Sequence, residues 1–82
     1  MDEVKIVLFG AAADRAGTRQ TQVPVADQTT LGELWPLLAE RCPGLIPMRD
    51  TLAFAVNDEY ARMDDPVSAG DEVAVLPPVS GG

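Results

Sequence analysis

VKIVLF, residues 4–9, places Val4, Ile6 and Leu8 on one pleat face and Val7 and Phe9 on the other, with Lys5 as its single charge. β-branched and aromatic residues favour extended backbone, and a strand apolar on both faces belongs at the centre of a sheet. The only comparably apolar strand signal is EVAVL, residues 72–76, at the opposite end of the chain. Two such strands find a mutual partner most readily by lying side by side. The sequence therefore predicts that the first and last strands pair in the middle of one sheet.

The segments between them supply the rest of the sheet and its cover. In GAAADRAGT, Gly10 and Gly17 punctuate a stretch with room for a single helical turn, and TQVPV then resumes an extended pattern. Pro24 has no N–H to give a ladder, which predicts an edge strand. Thr30 followed three residues later by Glu33 is a capping box, and Leu31, Leu34, Trp35, Leu38 and Cys42 recur on one helical face behind it. Pro36 inside that pattern costs a backbone hydrogen bond, so the sequence predicts a kink or a frayed first turn. Pro43 and Gly44 stop the helix, and Pro47 belongs to a loop. TLAFAV is a third strand, with Leu52, Phe54 and Val56 on one face and Ala53 and Ala55 on the other. Asn57-Asp58 turns it into a short fourth strand around Tyr60–Arg62, Asp64-Asp65-Pro66 breaks that strand, and Gly70-Asp71 leads into the last.

The order β, β, α, β, β, β with paired terminal strands is that of an α+β β-grasp fold: one mixed sheet of about five strands packed on one main helix. Residues 1–76 form this domain and residues 77–82, PPVSGG, an extended flexible C-terminal tail. The 82-residue length allows only a modest core, and 46% hydrophobic with 23% charged residues is the balance of a folded globule. A net charge of −7 repels nucleic acid and anionic lipid, no apolar run approaches the roughly twenty residues of a membrane span, and one cysteine forms no internal disulfide. With no basic, apolar leader at Met1-Asp2-Glu3, the expected location is the cytoplasm.

Within the domain there is little chemistry to find. The absence of histidine removes the commonest general base and zinc nitrogen ligand, so no metal site is expected. Cys42 and Trp35 fall on the apolar helix face and read as core, and the Asp64-Asp65 pair reads as turn hydrogen bonding rather than acid–base machinery. PPVSGG is the exception. Pro77 and Pro78 stiffen the base of the tail, Val79 and Ser80 extend it, and Gly81-Gly82 have no Cβ, so the terminal carboxylate can enter a channel too narrow for other residues. Six residues reach about 20 Å. A carboxylate is a poor electrophile at neutral pH and needs activation, for which this chain carries no group of its own.

VKIVLFGAAADRAGT and, above all, the run VNDEYARMDDPVSAGDEVAVLPPVSGG (residues 56–82) resemble the small subunit of molybdopterin synthase, the MoaD-type sulfur carrier of the MoaD/ThiS ubiquitin-like family. The resemblance covers most of the chain, while residues 26–50 match in pattern alone. It implies a non-catalytic, sulfur-donating subunit. Gly82 would be adenylated and then converted to a thiocarboxylate, with Gly81 giving clearance. The sulfur would pass to a cyclic pyranopterin precursor in a large subunit, in a heterotetramer of two small and two large chains. ATP and magnesium would belong to a ubiquitin-activating-like adenylyltransferase and the sulfur to a sulfurtransferase, so no cofactor is expected on this chain. Pro77, Pro78, Val79 and Ser80 would thread the partner, and Phe9, Leu76 and, less closely, Tyr60 match partner-contacting positions, for which sheet packing is the alternative. Three other readings stay open: a thiamine-pathway sulfur carrier, a protein modifier conjugated through Gly82, and an interaction module with a frayed end.

Overall fold

In the computed structural model, which describes residues 2–77, the chain runs β1 (Glu3–Leu8), α1 (Gly10–Ala16), β2 (Gln20–Pro24), β3 (Thr29–Thr30), α2 (Leu31–Arg41), a 3-10 segment (Pro43–Thr51), β4 (Ala53–Val56), β5 (Glu59–Ala61), β6 (Pro66–Val67) and β7 (Glu72–Leu76). The main sheet has the order β2-β1-β7-β4-β5. β7 is thus central, parallel to β1 and antiparallel to β4, with β2 and β5 at the edges. This is the predicted mixed five-stranded β-grasp sheet, and Pro24 sits on an edge strand, where its missing N–H costs no ladder bond.

The core lies on one side of the sheet. Ile6, Leu8, Val73, Val75 and Phe54, each no more than 4% exposed, join Leu31, Leu34 and Leu38 of α2 in a single cluster. The α2 capping box is complete: Thr30 Oγ1 accepts from Glu33 N–H at 3.2 Å and Glu33 Oε1 accepts from Thr30 N–H at 2.9 Å. Pro36 neither ends nor interrupts the helix, which runs as one element to Arg41. The bond it forgoes is the one to the carbonyl of Gly32, and the Gly32 N–H is held outside the helix by the Met63 carbonyl at 2.7 Å.

Besides the intact first turn ahead of Pro36, four features differ from the sequence reading. The GAAADRA stretch is a seven-residue helix rather than a single turn, because the Phe9 carbonyl accepts from both Ala12 and Ala13 and Gly17, at φ +77°, donates back to Ala13. The Pro43–Thr51 stretch is 3-10 helical rather than a loop, and Gly44 lies so close to α1 that a Cβ there would run into the Arg15 carbonyl. A second, two-stranded sheet pairs Thr29 with Val67 and Thr30 with Pro66. β1 is buried on one face only: Val4, Ile6 and Leu8 are buried, Val7 is partly covered, and Phe9 is 47% exposed. Among the described residues, no helix covers that second face, and none is long and apolar enough to cross a membrane.

Candidate functional site

Register fixes which side chains share the uncovered face. Gln20 opposes Val7, Val7 opposes Ala74, Ala74 opposes Ala55 and Ala55 opposes Tyr60, which makes one row across all five strands. A second row holds Leu76 opposite Ala53, with Phe9 just past the end of β1. Phe9, Leu76 and Tyr60 therefore lie on one face, as the interface reading requires. Tyr60 is 81% exposed and Leu76 half-buried. Between the large residues the side chains are small: Ala55 is shielded at 7% exposure yet stands apart from the core cluster. An apolar strip with a low centre and raised aromatic ends suits a complementary protein surface.

The backbone beside this strip is held firmly. Phe9 N–H donates to the Val75 carbonyl at 3.2 Å while its own carbonyl caps α1. At the other end of β7 the Asn57-Asp58 turn has φ +51° and +72°, the left-handed pair that suits a two-residue hairpin. Asn57 reinforces it, its Oδ1 accepting from Glu72 N–H at 3.0 Å and its Nδ2 donating to Asp71 Oδ1 at 3.1 Å. β7 is thus anchored along its length, from the Asn57-Asp58 turn at its start to its pairing with β4 at Leu76. Pro77, the last described residue, packs beside Gly10; Pro78, Val79, Ser80, Gly81 and Gly82 lie outside the described residues.

A groove of about 470 Å³ opens next to the tail base, lined in part by Phe9, Gly10, Asp14, Arg19 and Gln20. The sequence offers no sign of it, because its walls come together only when β1 and β2 pair and α1 takes its place beside them. Val7 and Ala74 were likewise not among the candidate residues. Their place on the strip depends on β7 lying between β1 and β4.

The remaining chemically capable groups have structural roles. Cys42 is 3% exposed, and burial pushes its thiol up, partly opposed by the Arg41 guanidinium, so it stays protonated and unreactive at neutral pH. Trp35 packs edge-on against Phe54 with ring centroids 6.0 Å apart, and the Arg49 guanidinium stands 5.9 Å from its ring centre. Asp65 Oδ2 accepts from Arg62 N–H at 2.8 Å, the turn role expected of it. Among the described residues, no group of three or more Cys, Asp or Glu is placed to hold a metal ion.

Comparison with known proteins gives a consistent result. The human molybdopterin synthase sulfur carrier subunit is 35% identical over 98% of this chain and 94% of its own length. The crystal structure of H. volcanii small archaeal modifier protein 1 superposes with a TM-score of 0.86 at 30% identity, covering 96% of this chain and all of that one. A chain in the complex of subunits 1 and 2 of molybdopterin-converting factor from Helicobacter pylori superposes with a TM-score of 0.71 at 28% identity, covering 98% of this chain and 99% of the other. The ThiS family model matches residues 6–82, from the first core strand through the final glycine, and this chain belongs to the ThiS family.

Proposed function

We propose that this chain is the sulfur-carrier small subunit of a molybdopterin synthase, with Gly82 as the site of sulfur attachment. The observation that carries this reading is the near full-length likeness to molybdopterin synthase sulfur carrier subunits, together with a ThiS family match that runs through Gly82. The geometry fits a donor that is handled by other proteins: a rigid central strand delivers the tail, and an apolar strip beside it offers a partner a place to hold. In the reaction, a Gly82 carboxylate oxygen attacks the α-phosphorus of ATP and pyrophosphate leaves. A sulfurtransferase persulfide then attacks the acyl carbon and AMP leaves. A thiol of the partner enzymes attacks the resulting acyl disulfide at the sulfurtransferase sulfur, which releases the thiocarboxylate and leaves a disulfide between the two thiols. ATP, magnesium and the nucleophile come from the adenylyltransferase and a sulfurtransferase. Sulfur transfer to a cyclic pyranopterin precursor, followed by hydrolysis of the acyl product, restores the carboxylate. The large subunit that houses this step would form a heterotetramer with two copies of this chain, as a cytoplasmic enzyme, with Pro77 to Ser80 threading it and Gly81 giving clearance. The H. pylori complex of subunits 1 and 2 supports such a pairing.

The test is intact-mass measurement after incubation with adenylyltransferase, ATP and sulfur donor. The expected product has one carboxylate oxygen of Gly82 replaced by sulfur, and removal of Gly82 abolishes it without unfolding the domain. An unmodified Gly82 under conditions that charge a known carrier would refute the reading. The likeness to small archaeal modifier protein 1 favours a second outcome, attachment of Gly82 to lysine amines of other proteins. Protease-reversible conjugates in a cell extract that depend on Gly82 would establish it. A thiamine-pathway carrier would charge equally well but would fail to convert the pterin precursor.

A further inference from the structure

Where the tail leaves the sheet, one residue on a different element stands against it. Gly10 follows Phe9 at the start of α1 with φ +52°, a left-handed conformation that L side chains rarely adopt. A Cβ at this position would lie 3.1 Å from Pro77 Cγ and 4.0 Å from Pro77 Cδ. That first distance is a few tenths of an ångström inside ordinary contact. The Pro77 ring is closed onto its own backbone nitrogen, so it cannot rotate aside as an open side chain would. Relief would have to come from the backbone.

Both sides of this contact are otherwise fixed. Phe9 is tied to Val75 on β7 and, through its carbonyl, to Ala12 and Ala13 of α1. β7 is paired up to Val75 with β1 and up to Leu76 with β4. Pro77 is therefore the first residue of the tail beyond the ladder, and its ring meets the chain at a position lacking a side chain. The geometry points to Gly10 as a positioning residue: its bare Cα seats the Pro77 ring and sets the direction in which residues 78–82 leave the domain. This rests on the sulfur-carrier reading for its consequence, because the tail must enter a partner's active site. Five residues span at most about 17 Å, so the direction at the base governs where the end can be presented. Misplacement of a reacting group by about 1 Å can cost on the order of a hundredfold in rate.

The test is a double-mutant cycle of Gly10→Ala and Pro77→Ala in the full chain. It reads kcat/KM for adenylyltransferase-dependent conversion of Gly82 to the thiocarboxylate, with melting temperature measured alongside. The Pro77→Ala change removes the Cγ that a Cβ at position 10 would meet, but leaves the backbone strain at position 10 untouched. Gly10→Ala is expected to lower kcat/KM about tenfold with Pro77 present and no more than about twofold in the Pro77→Ala background, a coupling within the range of contacting residues. Gly10→Ala lowers the melting temperature in both backgrounds through the strain at position 10, and by at least as much with Pro77 present, where the added Cβ also meets the ring. Unchanged kcat/KM in Gly10→Ala, or an equal loss in the two backgrounds, would overturn the proposal. An NOE between the Gly10 Hα and Pro77 ring protons reports the seat without any partner, and its absence from the wild type would also overturn it. If the NOE is present but the wild type accepts no sulfur, the seat stands and the sulfur-carrier reading fails.

Discussion

Leu8 and Phe9 are neighbours in sequence and opposites in environment. Leu8 is 2% exposed, on the face of the sheet covered by α2; Phe9 is 47% exposed, on the face that no described element covers. The same division runs across the whole sheet, with Ile6, Val73, Val75 and Phe54 on one side and Val7, Ala74, Leu76 and Tyr60 on the other. Hydrophobicity alone does not separate the two sets. What separates them is whether this chain has a second layer to bring against them, and it has one layer of helix for two apolar faces. The core face holds the domain together, and the open face is the one on which the proposed function would seat a partner.

The contrast can be broken most severely on the core side. Ile6→Ala should cost about 2–5 kcal/mol in urea unfolding, because Ile6 is fully buried and its loss leaves a cavity under α2. In a domain whose total stability is about 5–15 kcal/mol, that is a large share. A cost below about 1 kcal/mol would mean that the core face is not what holds the fold. Phe9→Ala and Tyr60→Ala should do the reverse. Stability should change by no more than about 0.5 kcal/mol, whereas affinity for the large subunit, read by calorimetry, should fall by about 1–2 kcal/mol for Phe9 and less for the more peripheral Tyr60. Unchanged affinity in both would remove the partner from the open face.

The smallest effect concerns pH. The Cys42 thiol is shifted upward by burial on the core face, so the folded state holds its proton at a pH where the unfolded chain has begun to lose it. The contribution is fully present below the unfolded pKa of about 8.5 and declines as pH rises beyond it. Relative to Cys42→Ala, the wild type should lose stability between neutral pH and the alkaline end of a denaturation series. A parallel pair of curves would place the thiol in water.

Much of this architecture could be read from short patterns, because they report interactions made locally. Thr30 and Glu33 meet within one helical turn, Asn57 and Asp58 bend the chain by their own backbone angles, and Pro24 lacks its donor wherever it stands. The features that went unread depend on segments far apart in the chain. Thr29-Thr30 becomes a strand only because Pro66-Val67 arrives beside it. The run Pro43–Thr51 carries two prolines that read as loop, yet it coils as a 3-10 segment packed against α1, with Gly44 at the close approach. Nothing in GAAADRA announces that Gly10 lies against Pro77, because the two stand near opposite ends of the chain.

Side-chain type, spacing and backbone freedom were enough to read the main helix, the strands of the main sheet, the pairing of its two most apolar strands and the unusual freedom of Gly81-Gly82. Which apolar residues are core and which are surface came from the way the layers pack. The alternation of a strand says that Leu8 and Phe9 face opposite ways, but not which way the single helical layer lies. That choice is made by the packing of α2 and the 3-10 segment onto one face of the sheet. It leaves Phe9, Leu76 and Tyr60, which the sequence offers either as partner contacts or as sheet packing, on the uncovered face, with Phe9 and Tyr60 exposed and Leu76 half-buried.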